Sequence, residues 1–170
     1  MPTEGTNSIT YWLTALEKYS FEQLCIKPAE ENWSLGQLYT HLINDTRFYM
    51  EQARTAIAND DNADESASSF AATLFSNNSF PDKRIAGDPS NAAIPQPENK
   101  QQLSTGLLHI KQDMESLAAI IAAGNYTGKT KHPGMGYFTA AQWLQFADMH
   151  FRHHYRQKKR IDDFLGKNED

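Results

Sequence analysis

His150 and His154 stand four residues apart in a segment whose other periodic positions are apolar. Taken in alternating steps of four and three, the series runs Trp143, Ala147, His150, His154, Gln157, Ile161, Phe164. On a helix these residues share one face. The ends of that seam belong in a core, so three polar side chains in its middle cost free energy unless something satisfies them. Two imidazoles one helical turn apart can converge on one metal ion, and this is one way to repay the cost. A hydrogen-bond network is the other.

An earlier stripe breaks its apolar face in the same way. Leu38, His41, Asp45 and Phe48 are spaced three, four, three. A third imidazole, from His41, would complete a set of nitrogen ligands and leave a position open for water or substrate, as catalytic metal sites do. Spacing alone leaves His41 a candidate. Asp45, one turn later, could orient a ligand imidazole or accept a proton. His153 points about 100° away from His154 and is expected beside the site or on the surface. Tyr155 and Gln157 are further candidates for contacts to a ligand or to substrate. Asp148, two residues before His150, should point elsewhere. His109 and His132 have no partner at ligand spacing and are expected to be structural or exposed.

Other chemistries fit poorly. The run from His150 to His154 lacks the glutamate of His-Glu-x-x-His proteases, and no Glu-x-x-His pair of a di-iron bundle occurs. Cys25 is the one cysteine, which excludes an internal disulfide and suits a reducing compartment. There is no glycine-rich phosphate loop, nucleophile elbow or kinase pattern.

The elements that carry these residues read as four helices. The first is expected from about Ser8 to Cys25, stopped by Pro28. The second opens on a capping-box pattern, Ser34 with Gln37, and runs to about Ala58. The third has an unbroken seam, Leu103, Leu107, Ile110, Met114, Leu117 and Ile121, with Gly124 where a cap belongs. The fourth opens on Thr139 with Gln142 and runs to about Leu165, with Gly166 as its stop. A short extra helix fits residues 65–76. Residues 77–99 read as a long loop with Pro81, Gly87, Pro89, Pro95 and Pro97, a crossover between the second and third helices. No strand pattern is read anywhere. The expected fold is all-α, a four-helix bundle in a single domain over residues 1–170.

Bulk properties agree. The 170 residues suffice for a core without disulfides or a structural metal, so a metal here is free to be functional. A formal charge of −5, from 16 basic and 21 acidic residues, argues against nucleic acid or an anionic membrane as partner. The one dense basic run, Arg156, Lys158, Lys159 and Arg160, reads as cations near a helix C-terminus. No apolar run is long enough to span a membrane, and the first ten residues lack a secretory pattern. A cytoplasmic location is expected.

The chain resembles the DinB/YfiT-like superfamily. The resemblance rests on three stretches: Trp33 to Leu42 (Trp-Ser-Leu-Gly-Gln-Leu-Tyr-Thr-His-Leu), His132 to Gly136 (His-Pro-Gly-Met-Gly), and Gln142 to Phe146 leading into His150, His153, His154, Arg156 and Gln157. Order and spacing match over nearly the whole chain, and the combination carries the weight. The resemblance implies a bundle with a long connection and a three-histidine metal site on His41, His150 and His154. It implies one divalent ion, zinc or nickel, and a homodimer as is common among members. Some members transfer a low-molecular-weight thiol such as bacillithiol to electrophiles, and a related group contains mycothiol-dependent isomerases. Others are regarded as metal-dependent hydrolases. The 77–99 loop and the short helix before it have no aligned counterpart, so the substrate is not inherited.

Three readings follow. In a metal-dependent thiol transferase, the open position binds a small-molecule thiol and lowers its pKa. In a hydrolase the same position activates water, with Asp45 as base. In a binding module the metal is structural or the histidines form a polar network.

Overall fold

The computed structural model describes residues 6–81 and 93–167. In chain order it contains α1 (Asn7–Leu16), α2 (Phe21–Cys25), α3 (Leu35–Ala58), α4 (Ser69–Asn77), α5 (Lys100–Ala123), β1 (Lys129–His132), β2 (Gly136–Thr139), α6 (Ala140–His153) and α7 (Tyr155–Leu165). The described chain is mostly helical, with one small two-stranded sheet. The segment 82–92, within the expected crossover, and residues 168–170 lie outside the described residues.

Local chemistry sets the helix starts. Ser34 accepts from the Gln37 backbone N–H, and the Gln37 side chain accepts from the Ser34 N–H. Thr139 and Gln142 do the same for α6. Each such cap is worth about 1 kcal/mol. Asn99 caps α5 through the Gln102 N–H. Gly166 closes α7 at φ 76°, in the left-handed region that glycine adopts without strain. Gly124 does end α5, but with extended backbone rather than a left-handed cap.

Two expected helices are interrupted. The first divides into α1 and α2, because Ser20 and Gln23 form a capping box of their own and start a new helix. Tyr19, buried between them, bridges the gap in the apolar series. The fourth divides at His154, whose backbone at φ −87°, ψ 0° ends α6 and precedes α7. The expected short helix is present as α4, starting at Ser69 and ending on Asn78 in the left-handed conformation.

The expectation of no strands is corrected. β1 and β2 pair antiparallel, with Thr130 opposite Phe138 and His132 opposite Gly136. The turn uses Gly134 and Gly136, both at positive φ. The Ser68 N–H donates to Met135 O and the Tyr137 N–H to Ser66 O, so residues 66–68 line the outer edge of the hairpin. Strands of only four residues, Lys-Thr-Lys-His and Gly-Tyr-Phe-Thr, are too short to show a clean alternation, which is why periodicity does not reveal them.

One contiguous apolar cluster fills the interior. α1 and α3 each pack against α5 and α6. Trp12 and Tyr39 meet edge-on across α1 and α3, and Trp143 and Phe151 carry α6 into the same core. The third-helix seam is buried from Leu103 to Leu117, as expected. Each fully buried leucine contributes about 1.5–3 kcal/mol. Among the described residues no helix is long and apolar enough to cross a membrane.

Candidate metal centre

α3 carries His41 nearly two turns in, and α6 carries His150 in its last turn. His154 occupies the joint to α7. α3 and α6 pack directly, which brings the three rings to one point. Nε2 of His150 lies 3.2 Å from Nε2 of His41 and 3.2 Å from Nε2 of His154. The rings meet edge-on, with centroids 4.7–5.1 Å apart. Among the described residues, one donor atom from each lies within 4.8 Å of the others. The helix break at His154 leaves the four-residue relation to His150 intact.

The protonation chemistry suits a cation ligand set. Burial, and then the charge of His154, lower the His41 pKa to about 3. Burial also lowers His154 to about 4, with His153 adding to the effect and the Gln157 hydrogen bond opposing it. His150 is held well below its ordinary value by burial first, then by the neighbouring histidines. All three rings are therefore neutral near pH 7 and each has one lone pair to offer.

The tautomers point the same way. Nδ1 of His154 lies 2.9 Å from Oε1 of Gln157, so Nδ1–H donates to the amide oxygen and Nε2 keeps its lone pair. His150 Nε2 faces two nitrogens and has at most one proton to share. A hydrogen-bond network alone thus either divides one proton between two contacts or leaves a pair of lone pairs opposed. Nδ1 of His41 and of His150 is buried with no hydrogen-bond partner. An unsatisfied buried polar atom costs roughly 1–3 kcal/mol, so the arrangement needs a compensating interaction at Nε2. Donors about 2.1 Å from a tetrahedral ion sit roughly 3.4 Å apart, close to the spacing found. The residues present fit a divalent ion.

The other expected residues fall in distinct places. Asp45 Oδ2 is 3.6 Å from His41 Nε2 and 3.8 Å from His150 Nε2. It therefore sits on the donor-atom side of the rings rather than against an Nδ1. His153 is half-buried against Phe80, with centroids 4.9 Å apart. Tyr155 packs on Tyr11 and Trp12. Asp148 turns away, accepting from Ser8 and pairing with Arg152. His132 is half-buried, stacked on Phe138 and Trp143, and His109 is exposed.

A family model for the DinB superfamily matches residues 6–157. The chain belongs to the DinB superfamily. No curated protein and no solved structure matches it. The match spans all three histidines of this DinB-superfamily chain, together with the hairpin and α4.

Two ring contacts of the centre went unread in the sequence. Trp33 packs on the His41 ring at 4.9 Å, and Tyr49 on His150 at 5.7 Å. The signals for Trp33 were its place just before the Ser34 cap and at the head of the Trp33–Leu42 stretch. The described ends of the long connection also flank the site. Gln37 donates to Ile94 O and Gln96 accepts from Ser34, one to two turns before His41. At the other end Phe80 covers His153, and Arg152 donates to Asn78 O.

Proposed function

We propose that this DinB-superfamily chain is a single four-helix-bundle domain, with α1, α3, α5 and α6 as its mutually packed helices. It holds one divalent transition-metal ion, zinc or nickel, through Nε2 of His41, His150 and His154. On this reading it is a cytoplasmic transferase that joins a low-molecular-weight thiol to a small electrophile. The observation that carries it is the convergence of three neutral imidazoles in a buried site, with His150 Nε2 3.2 Å from Nε2 of each of the other two. Gln157 keeps His154 in the tautomer that offers Nε2. Trp33 and Tyr49 fix the ring planes of His41 and His150 by contact.

The ion supplies positive charge that favours a thiolate over a thiol in the open position. The thiol loses its proton to solvent or buffer. Its sulfur forms a bond to the electrophilic carbon, and the leaving group departs with the electron pair of the broken bond. The chain's own thiol does not serve, because Cys25 lies at the end of α2 and, among the described residues, in no ligand cluster. Metal-loaded protein should therefore consume free thiol when a thiol panel and an alkylating electrophile are supplied together. No consumption by any thiol, with the metal bound, sinks the transferase reading.

Hydrolysis is the second reading, and the position of Asp45 favours it. A carboxylate on the Nε2 side of two histidines stands where a base for bound water would stand. Turnover of ester or amide substrates that is lost in Asp45→Ala, with metal retained, would select this reading over the first.

A further inference from the structure

Asp45 follows His41 by one turn of α3, so the two side chains leave the same face of the helix. A carboxylate that merely orients a metal-bound imidazole reaches the ring nitrogen that does not bind the ion. Gln157 occupies that place for His154, on Nδ1. Asp45 does not occupy it for either neighbour. Its Oδ2 is directed at the same atoms, Nε2 of His41 and Nε2 of His150, that face the centre.

We propose that the Asp45 carboxylate is a fourth protein donor to the ion held by His41, His150 and His154. This inference rests on the three-histidine reading of the site. Donors to one ion of zinc-like size sit roughly 3.0–3.4 Å apart, so the carboxylate must close by about half an ångström. Its side chain is 33% exposed, while His41 and His150 are buried. Charge supplies the driving force. Three neutral imidazoles leave a buried dication uncompensated, and a buried charge is costly unless it is paired. One carboxylate halves the net charge of the centre.

The consequence bears on the reaction. A carboxylate bound to the ion no longer has that oxygen available as a base for water. A three-histidine, one-aspartate set would fill a tetrahedral shell, so a thiol or water would have to enter as a fifth donor or displace the carboxylate.

The test is a crystal structure of the zinc-loaded full chain, paired with zinc affinity by chelator competition for the wild type, Asp45→Asn and Asp45→Ala. The expected result is an Asp45 oxygen about 2.0–2.2 Å from zinc. Both variants should bind zinc at least roughly a hundredfold more weakly, beyond the range usual for losing an outer contact. Unchanged thermal unfolding of the metal-free variants would show that the loss is not one of folding. Zinc on the three histidines with Asp45 more than about 3 Å away overturns the inference alone. Zinc held elsewhere, or not held, overturns the site reading with it.

Discussion

Nε2 of His41 and Nε2 of His150 lie 3.2 Å apart across 109 residues of sequence. Neither ring nitrogen on the far side has a partner. That combination ties two buried imidazoles to a shared point rather than to separate hydrogen-bond partners. The functional account rests on it.

Gln157 is the outer support of His154. Replacing it with leucine removes the acceptor for Nδ1–H and frees the ring to flip or change tautomer. Zinc affinity should fall about ten- to a hundredfold, with little change in metal-free stability. Chelator competition reads the first and thermal unfolding the second. An unchanged zinc affinity would mean that Gln157 has no hold on the site.

Acid should weaken the metal-free protein in a defined window. His41 and His154 ionise at about 3 and about 4 when folded, against 6.5 ordinarily. Below about pH 6.5 the unfolded chain therefore binds protons that the folded chain refuses, so stability falls as pH falls. The slope approaches about 1.4 kcal/mol per pH unit for each histidine. Above about pH 6.5 both states are neutral at these rings and the contribution vanishes. Urea midpoints of chelator-treated protein at about pH 7.5, 6.5 and 5.5 should fall slightly across the first pair and about three times as far across the second. A flat profile would mean that these rings are not buried neutral.

Lys158 shows how a sequence reading of charge can mislead. It belongs to a run read as cations near a helix end, yet it is 2% exposed. Its Nζ is 2.7 Å from Asp162 Oδ2 and lies over the rings of Tyr11 and Tyr19. Tyr19 donates to the other Asp162 oxygen, which joins α7 to the segment after α1. Lys158→Met should cost about 3–5 kcal/mol by stranding a buried carboxylate, and adding Asp162→Leu should recover part of it. Denaturant unfolding of the single and double variants checks this. A double variant no more stable than the single would contradict it.

Gly36 sets how closely the connection can approach α3. A Cβ there would meet Leu24 O at 2.8 Å and Pro97 Cγ at 2.8 Å. Gly36→Ala should destabilise by about 1–3 kcal/mol and loosen the 94–97 segment from the start of α3. Thermal unfolding and hydrogen exchange at residues 94–97 report the two effects. No change in either would place the segment's hold elsewhere.

The sequence carried the helical faces well, because burial imposes a period that survives tertiary packing. The seams through Leu103–Leu117 and through Trp143, Ala147 and His150 are buried as their spacing requires. Capping at Ser34 and Thr139 was equally legible, being a property of four adjacent residues. Breaks were not. Beyond the break at His154 the buried face changes: Ile161 stays buried, but Phe164, expected in the core, is 53% exposed, and Lys158 and Asp162 are buried instead. The hairpin was hidden because its pairing is set by the Gly134 and Gly136 turn and by residues 66–68, a distant segment. The side of the imidazoles on which Asp45 lies was also illegible, since spacing fixes a face of α3 but not which ring nitrogen a neighbour meets.

The central claim is that His41, His150 and His154 hold one metal ion. Elemental analysis of the untagged full chain, beside its His150→Ala variant, tests it most directly. The account predicts close to one equivalent of zinc or nickel per chain in the wild type, and loss of most of it in the variant, which remains folded. A wild type without transition metal after zinc or nickel is offered, or a variant that keeps its full equivalent, would contradict it.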